Sequence, residues 1–182
     1  MNNGSKVMVC AKSLSDAADD YAWQTDPGLS YLTATPPLTT PFSAYLLGYI
    51  GQLRRWSTKH QFAIKTSDGR HIGNCACYSI NHRKKEAEIG IMIGDRHYWD
   101  KGYGGDALLC LIDYAFNKLG LRRIHLKTLE SNLRAQCCFL KCGFSICGNA
   151  SIEGQDYILM ELRREQQRQN KAEKIKKGEV SL

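Results

Sequence analysis

Apolar and polar positions along the 182-residue chain follow two periods, and the changes of period mark its elements. Val7–Ala11 reads as a short strand. Ser15 reads as the N-cap of a helix over Asp16–Trp23, with acids in its first turn and an end near Asp26-Pro27-Gly28. Leu29–Thr39 reads as loop. Thr40-Pro41 then supplies an N-cap and a proline at the first helical position. Phe42, Tyr45, Leu46, Tyr49, Ile50, Leu53 and Trp56 fall on one face of the helix that follows, which is expected to reach Thr58.

An antiparallel ribbon comes next. Gln61–Ser67 and Arg70–Ile80 flank Asp68-Gly69, a turn pair that tolerates positive φ. Asn81–Lys85 is a polar turn. In Glu86–Gly94, Glu86, Glu88 and Gly90 alternate with Ala87, Ile89 and Ile91, a strand pattern. After a glycine-rich loop, Ala107, Leu108, Leu111, Ile112, Ala115, Phe116 and Leu119 trace one helical face, closed by Gly120. Arg122–Leu129 is a further strand, reached from Glu86–Gly94 by a parallel crossover. Asn132 caps a short last helix stopped by Gly143, and a hairpin over Phe144–Arg163 turns at Glu153-Gly154. Helices, antiparallel strands, one parallel crossover and a hairpin predict an α+β fold in three α/β/α layers, with a mixed, mostly antiparallel sheet.

Composition refines this picture. With 43% hydrophobic and 24% charged residues, the chain is ordinary for a globular domain, which excludes a disordered or collagen-like protein. The weakly charged run Leu29–Leu53 is broken by Pro36, Pro37, Pro41, Gly48 and Gly51, so no membrane span is expected. Met1–Cys10 lacks the basic-then-apolar pattern of a signal peptide, and a cytoplasmic location is expected. The formal charge of +7 is concentrated at the end: Arg163–Leu182 carries seven Lys/Arg against three Glu. That argues against nucleic acid as the main partner and divides the chain into a domain over residues 7–163 and a basic polar tail over 164–182. Eight cysteines form no CxxC pair, so no metal site is expected and free thiols are. The five histidines show no paired spacing.

The loop Asp100-Lys101-Gly102-Tyr103-Gly104-Gly105 joins a strand to a helix N-terminus, where glycines let backbone amides approach an anion. A P-loop would need Gly-Lys-Ser/Thr at the helix start, and Gly105-Asp106-Ala107 is not that. Gly102, Gly104 and Ala107 formally meet a dinucleotide fingerprint, with Glu130 as ribose acid, but the preceding antiparallel meander does not suit that fold. A bare tight turn is the remaining plain reading.

The stretch Glu86–Gly143 resembles the GCN5-related N-acetyltransferase (GNAT) superfamily. Tyr98-Trp99-Asp100-Lys101-Gly102-Tyr103-Gly104-Gly105-Asp106-Ala107 is similar to the branch holding ribosomal-protein N-terminal acetyltransferases and spermidine acetyltransferase. Leu129–Ala135 and Lys141–Phe144 match the second family motif. The resemblance implies acetyl-CoA as co-substrate. It places the pyrophosphate on the amides of Asp100, Lys101, Gly102, Tyr103, Gly104 and Gly105, and the pantetheine arm beside Met92, Ile93 and Gly94. Asn132 would cap its helix and touch the cofactor.

For chemistry, backbone N–H groups near Met92–Gly94 are the expected oxyanion donors, Glu88 the general base and Glu86 its fallback. The family commonly has Tyr seven residues after the motif Asn; here that position is Phe139. The Phe42–Thr58 helix ends in Arg54, Arg55, Lys59 and His60 without an acid, which favours a protein or peptide N-terminus over a polycation as acceptor. A polyamine or aminoglycoside acetyltransferase, or a non-catalytic acyl-CoA-binding domain, are the alternatives. A homodimer is the default assembly by base rate.

Overall fold

The computed structural model describes residues 2–3, 5–56 and 60–169. Its strands are β1 (Asn2–Asn3), β2 (Val7–Ala11), β3 (Gln61–Thr66), β4 (His71–Asn81), β5 (Glu86–Ile93), β6 (Arg123–Leu129), β7 (Ser145–Ile152) and β8 (Gln155–Arg163). They form one sheet in the order β1-β2-β3-β4-β5-β6-β8-β7. Among the described strands, β5 and β6 alone run parallel, joined through helix α4 (Tyr103–Asp113). The mixed α+β architecture is therefore as the periodicity predicts.

The helices divide between the faces of the sheet. On β4, Cys75 and Cys77 join the core that contains Leu108, Leu111, Ile112 and Phe116 of the α4 segment. Asn74, pointing the other way by strand alternation, bonds to Asp20 of α1 (Ala17–Thr25). Phe116, Ile64, Ile72, Ile89, Ile124, Met160 and Leu162 are fully buried and tie α4 to the sheet. α5 (Leu133–Lys141) lies beside α4 and brings Phe139 and Phe144 into T-shaped contact.

Several local expectations need correction. Ser13, not Ser15, starts the first helical segment, through a reciprocal capping box with Asp16. Asp26-Pro27 does not merely end α1. Asp26 accepts from Leu29 N–H and Pro27 opens a further helix, α2 (Pro27–Leu32), where a loop was expected. The β3–β4 connection spans Ser67–Arg70, closed by Gly69 N–H to Thr66 O, so it is longer than a two-residue turn.

Helix α3 (Phe42–Trp56) forms as predicted, starting after Pro41, whose carbonyl accepts from Tyr45 N–H. Among the described side chains of its apolar face only Tyr49 is deeply buried, while Phe42 and Ile50 stay exposed. The side chains of Arg54, Arg55 and Lys59 lie outside the described residues. Residues 164–169 continue helically past β8, and Arg164 bonds to Arg122 O and Asn117. The expected boundary at Arg163 is thus crossed by chain that touches the domain. Residues 170–182 lie outside the described residues. No described helix is long and apolar enough to cross a membrane.

Candidate functional site

The parallel pairing of β5 with β6 covers Glu86–Arg123, Ala87–Ile124 and Glu88–His125, then stops. β5 stays on β4 as far as Ile93, while β6 stays on β8 as far as Leu129. The two strands therefore part after Glu88, and the V between them opens into a cleft of about 830 Å³. Glu88 to Met92 form one wall and Leu126 to Leu129 the other. Asn132, Ala135 and Phe139 of the α5 segment close one side; Trp23, Gln24 and the 32–36 stretch close the opposite side.

The ladder fixes which backbone groups face this V. Gly94 N–H donates to Ile72 O at 2.9 Å, on the β4 side. In an antiparallel ladder successive residues turn their backbone groups to opposite neighbours. Gly94, Met92, Gly90 and Glu88 therefore bond to β4, while the odd-numbered residues turn the other way: Ile89 N–H closes the last parallel pairing, Glu88–His125, and Ile91 and Ile93 turn their backbone groups toward the cleft. Of the expected trio Met92, Ile93 and Gly94, Ile93 turns its backbone to this edge. Met92 lines the cleft, and Ile93 packs against the core while its carbonyl accepts from the Trp99 indole at 2.7 Å. Gly94 is buried, and a Cβ there would meet the Trp23 ring at 2.0 Å. Ile91 is the outward-facing residue that sequence reasoning missed, because ladder phase is set by β4.

The loop from Asp100 to Gly105 sits at the open end of β5. Asp100 and Gly102 both adopt left-handed backbone, with φ of 56° and 84°. Gly102 is the N-cap of α4, and Asp106 N–H donates to its carbonyl. The N–H groups of Tyr103, Gly104 and Gly105 then have no acceptor within the helix, and they add to the positive end of its dipole. Gly104 lacks a left-handed φ, and its Cβ position faces Ile93 and Cys138 at 3.5 and 3.9 Å.

Two neighbours missed in the sequence hold this loop. The Asp106 carboxylate accepts from the backbone N–H of Ser5, Lys6 and Val7, strapping the start of β2 to α4. Lys6 Nζ reaches the Lys101 carbonyl at 2.8 Å. On the other flank, Asn132 Oδ1 caps α5 by accepting from Ala135 N–H, and the same side chain lines the cleft. Cys138 is held at a pKa of about 7, first by its bond with Cys142 and then by the charges of Lys141 and Arg134, against the opposing effect of burial. Among the described residues no group of three potential metal ligands occurs.

The catalytic candidates separate clearly. Glu88 lines the cleft at its apex, next to the last paired position. Glu86, the fallback, lies where the sheet is closed; Arg123 binds it at 2.9 Å and Glu161 at 2.7 Å. Phe139 is buried in the cleft wall and offers no proton. A hydroxyl on the cleft lining belongs to Tyr78, paired with Glu88 across the strands. Its ring lies over Gly90, where a Cβ would meet the hydroxyl oxygen at 2.8 Å, and its O–H donates to Ile89 O at 3.3 Å. Burial, then the charge of Glu88, pushes the Tyr78 pKa up to about 12, so it stays protonated at neutral pH.

A sheet that parts after a parallel crossover, with a glycine-rich helix start at its mouth, is the frame of an acyl-CoA-dependent acetyltransferase. Residues 11–145 match the sequence profile of the Acetyltransferase (GNAT) domain, and the chain belongs to that family of acetyl-CoA-dependent N-acetyltransferases. An uncharacterized N-acetyltransferase from Bacillus licheniformis is 31% identical over 121 residues, 65% of this chain and 67% of that one. The spermidine N(1)-acetyltransferase of Escherichia coli K12 is 30% identical over 96 residues, 53% of this chain; the match spans half of that protein's length. Among solved structures, spermidine N-acetyltransferase from Vibrio cholerae with CoA and spermine superposes with a TM-score of 0.78. It is 20% identical and covers 90% of this chain and 98% of that one. An aminoglycoside acetyltransferase with coenzyme A gives 0.72 at 17% identity, covering 91% and 99%.

Proposed function

We propose that this protein moves the acetyl group of acetyl-CoA directly to a single primary amine, that of a peptide or protein N-terminus. The residues present fit the cofactor. Three helix-start amides and a left-handed Gly102 suit a pyrophosphate, and the outward N–H and C=O of Ile91 and the N–H of Ile93 suit an amide-bearing arm laid along an open strand edge. Acetyl-CoA supplies the acyl group as a thioester, which is exchanged for an amide as C–N forms and C–S breaks.

The chain's own groups then divide the work. Glu88 takes the proton that the amine sheds. The Ile91 N–H group, at the open edge, meets the negative charge that grows on the carbonyl oxygen. Tyr78 holds an O–H near the apex, although a thiol with pKa ~8.5 leaves as thiolate with little help. An α-amine with pKa ~7.7–8.0 is partly neutral at physiological pH and asks less of Glu88 than a side-chain amine at ~10.4.

The observation that carries the acceptor assignment is the charge of the cleft. Among the described residues its lining carboxylates are Glu88 and Glu153, against Lys127 and a Lys12 that is already paired with Asp20. Asp20, just behind, is fully buried and already bound by Lys12, Asn74 and Tyr49. A polycation would want a clear surplus of acid. The second reading is a polyamine acceptor, and the names of the relatives favour it. The test is release of free thiol from acetyl-CoA across N-terminal peptides, spermidine, spermine and an aminoglycoside. Peptides are expected to lead in kcat/KM. A tenfold preference for spermidine overturns the peptide assignment, and no turnover with retained CoA binding points to a binding domain.

A further inference from the structure

We infer that Arg134 is a phosphate-binding residue for the nucleotide half of the cofactor, held in place by Trp99 of the glycine-rich loop. This rests on the acetyl-CoA reading above and names a residue that none of the loop's backbone contacts requires.

Trp99 lies between two guanidiniums. Arg134, in the first turn of α5, has its guanidinium carbon 3.3 Å from the ring centroid, and Arg96 has its own at 5.5 Å. Stacking on indole is a favoured seat for Arg, because its planar, weakly hydrated cation matches the ring face. The two cations differ in what neutralises them. Arg96 makes a two-pronged pair with Asp26, both contacts at 2.7 Å. Among the described residues no carboxylate comes within ion-pair distance of Arg134, and Asp100 acts on it only at longer range.

A half-buried cation without an acid is costly unless something else meets it. Partial burial lowers the Arg134 pKa from the usual arginine value, the cost of holding this cation without an acid beside it. Cys138, one turn further along α5, lies 3.9 Å from the Cβ positions of Gly104 and Gly105, so α5 packs against the start of α4. Asn132, two residues before Arg134, lines the cleft. A ligand running from the cleft to the helix start therefore passes this guanidinium. Phosphate is the anion that a flat fork of N–H donors recognises best, through paired charge-assisted bonds.

The experiment is calorimetric binding of CoA and 3′-dephospho-CoA to the full chain and its Arg134→Gln and Arg134→Lys variants. Acetyl transfer from S-acetyl-pantetheine, which has no phosphate, is measured alongside. Arg134→Gln is expected to weaken CoA binding about tenfold to a hundredfold, the range of a lost charge-assisted bond. Arg134→Lys is expected to recover part of that loss, and S-acetyl-pantetheine turnover is expected to stay within twofold of wild type. If the loss is the same for both nucleotides the pyrophosphate is the partner, and if it falls away with 3′-dephospho-CoA the 3′-phosphate is. Wild-type CoA affinity in Arg134→Gln overturns the assignment while leaving the acetyl-CoA reading intact. An equal loss with S-acetyl-pantetheine also overturns it, because Arg134 would then only brace Trp99. Failure of the wild-type chain to bind CoA removes both.

Discussion

Replacing Gly94 by alanine tests how tightly the end of β5 is packed against α1. A Cβ at Gly94 would lie 2.0 Å from Trp23 Cδ2 and 2.4 Å from Cε2, against a comfortable carbon–carbon separation of roughly 3.5–4.0 Å. The indole must retreat by roughly 1.5 Å, and it is backed by the buried His71, whose ring centroid lies 4.7 Å away. A 2.0 Å overlap belongs to the upper part of the overpacking range, about 2–3 kcal/mol, partly offset by ~0.4–1 kcal/mol from a less flexible unfolded chain, a net cost of about 1–2.6 kcal/mol. At about 2–4 °C per kcal/mol for a domain of this size, Tm should fall by roughly 2–10 °C in a calorimetric melt. The Gly94 N–H points to β4 while Trp23 lines the cleft on the helix α1 side, so the acceptor KM should rise with CoA affinity unchanged. In a Trp23→Ala background the same substitution should cost little. A wild-type Tm for Gly94→Ala, or an equal penalty in both backgrounds, refutes the packing argument.

Three further outcomes are expected. Gly102→Ala meets only the flexible end of Lys6 at 3.5 Å, so its cost comes from φ of 84°, about 1–2 kcal/mol, and should appear as roughly tenfold weaker CoA binding by calorimetry with the fold retained. Glu88→Gln should lower kcat on the order of 10²-fold at neutral pH, with the deficit shrinking as pH nears the amine pKa; Tyr78→Phe should cost far less, and Phe139→Tyr should restore any part of that cost due to a missing proton donor. Cys138, folded pKa about 7, is thiolate above that pH and thiol below it, so its alkylation should accelerate as pH rises through 7, slow when CoA is bound, and far outpace that of buried Cys75 and Cys77 in peptide mapping.

Much of the fold was legible because it rests on periodicity and turn chemistry. The alternation in Glu86–Ile91, the helical spacing of Ala107 to Phe116 and the left-handed Gly120 all appear as read. The errors fall where one signal has two meanings. Asp26-Pro27 can stop one helix or cap the next, and here it does both. In the site, the left-handed glycine turn and the Asn132 cap were readable because both depend on local backbone. The outward phase of Ile91 and Ile93 was not, since it depends on how β4 pairs. Nor were the Asp106 strap to Ser5–Val7, the Arg134–Trp99 stack and the Arg123 clamp on Glu86, which join residues 35 or more positions apart.

In the proposed mechanism, the point where β5 and β6 part lets neighbouring residues of one strand serve different substrates. Side chains alternate between faces of β5, and backbone groups alternate between its edges, with the same period of two. Glu88, Gly90 and Met92 therefore present side chains toward α1 while their backbones stay bound to β4. Ile91 and Ile93 present side chains toward α4 while their backbones face the opening. One strand thus turns a carboxylate to one face and backbone N–H groups to its edge, the division that the proposed mechanism uses. A slip of one residue in the β4–β5 register would turn Glu88 into the apolar layer with Ala107 and Leu108 and would bury the outward amides against β4. Glu86 cannot substitute from its own position. It lies about 6.6 Å back along the strand, inside the paired region, with its charge already met by Arg123.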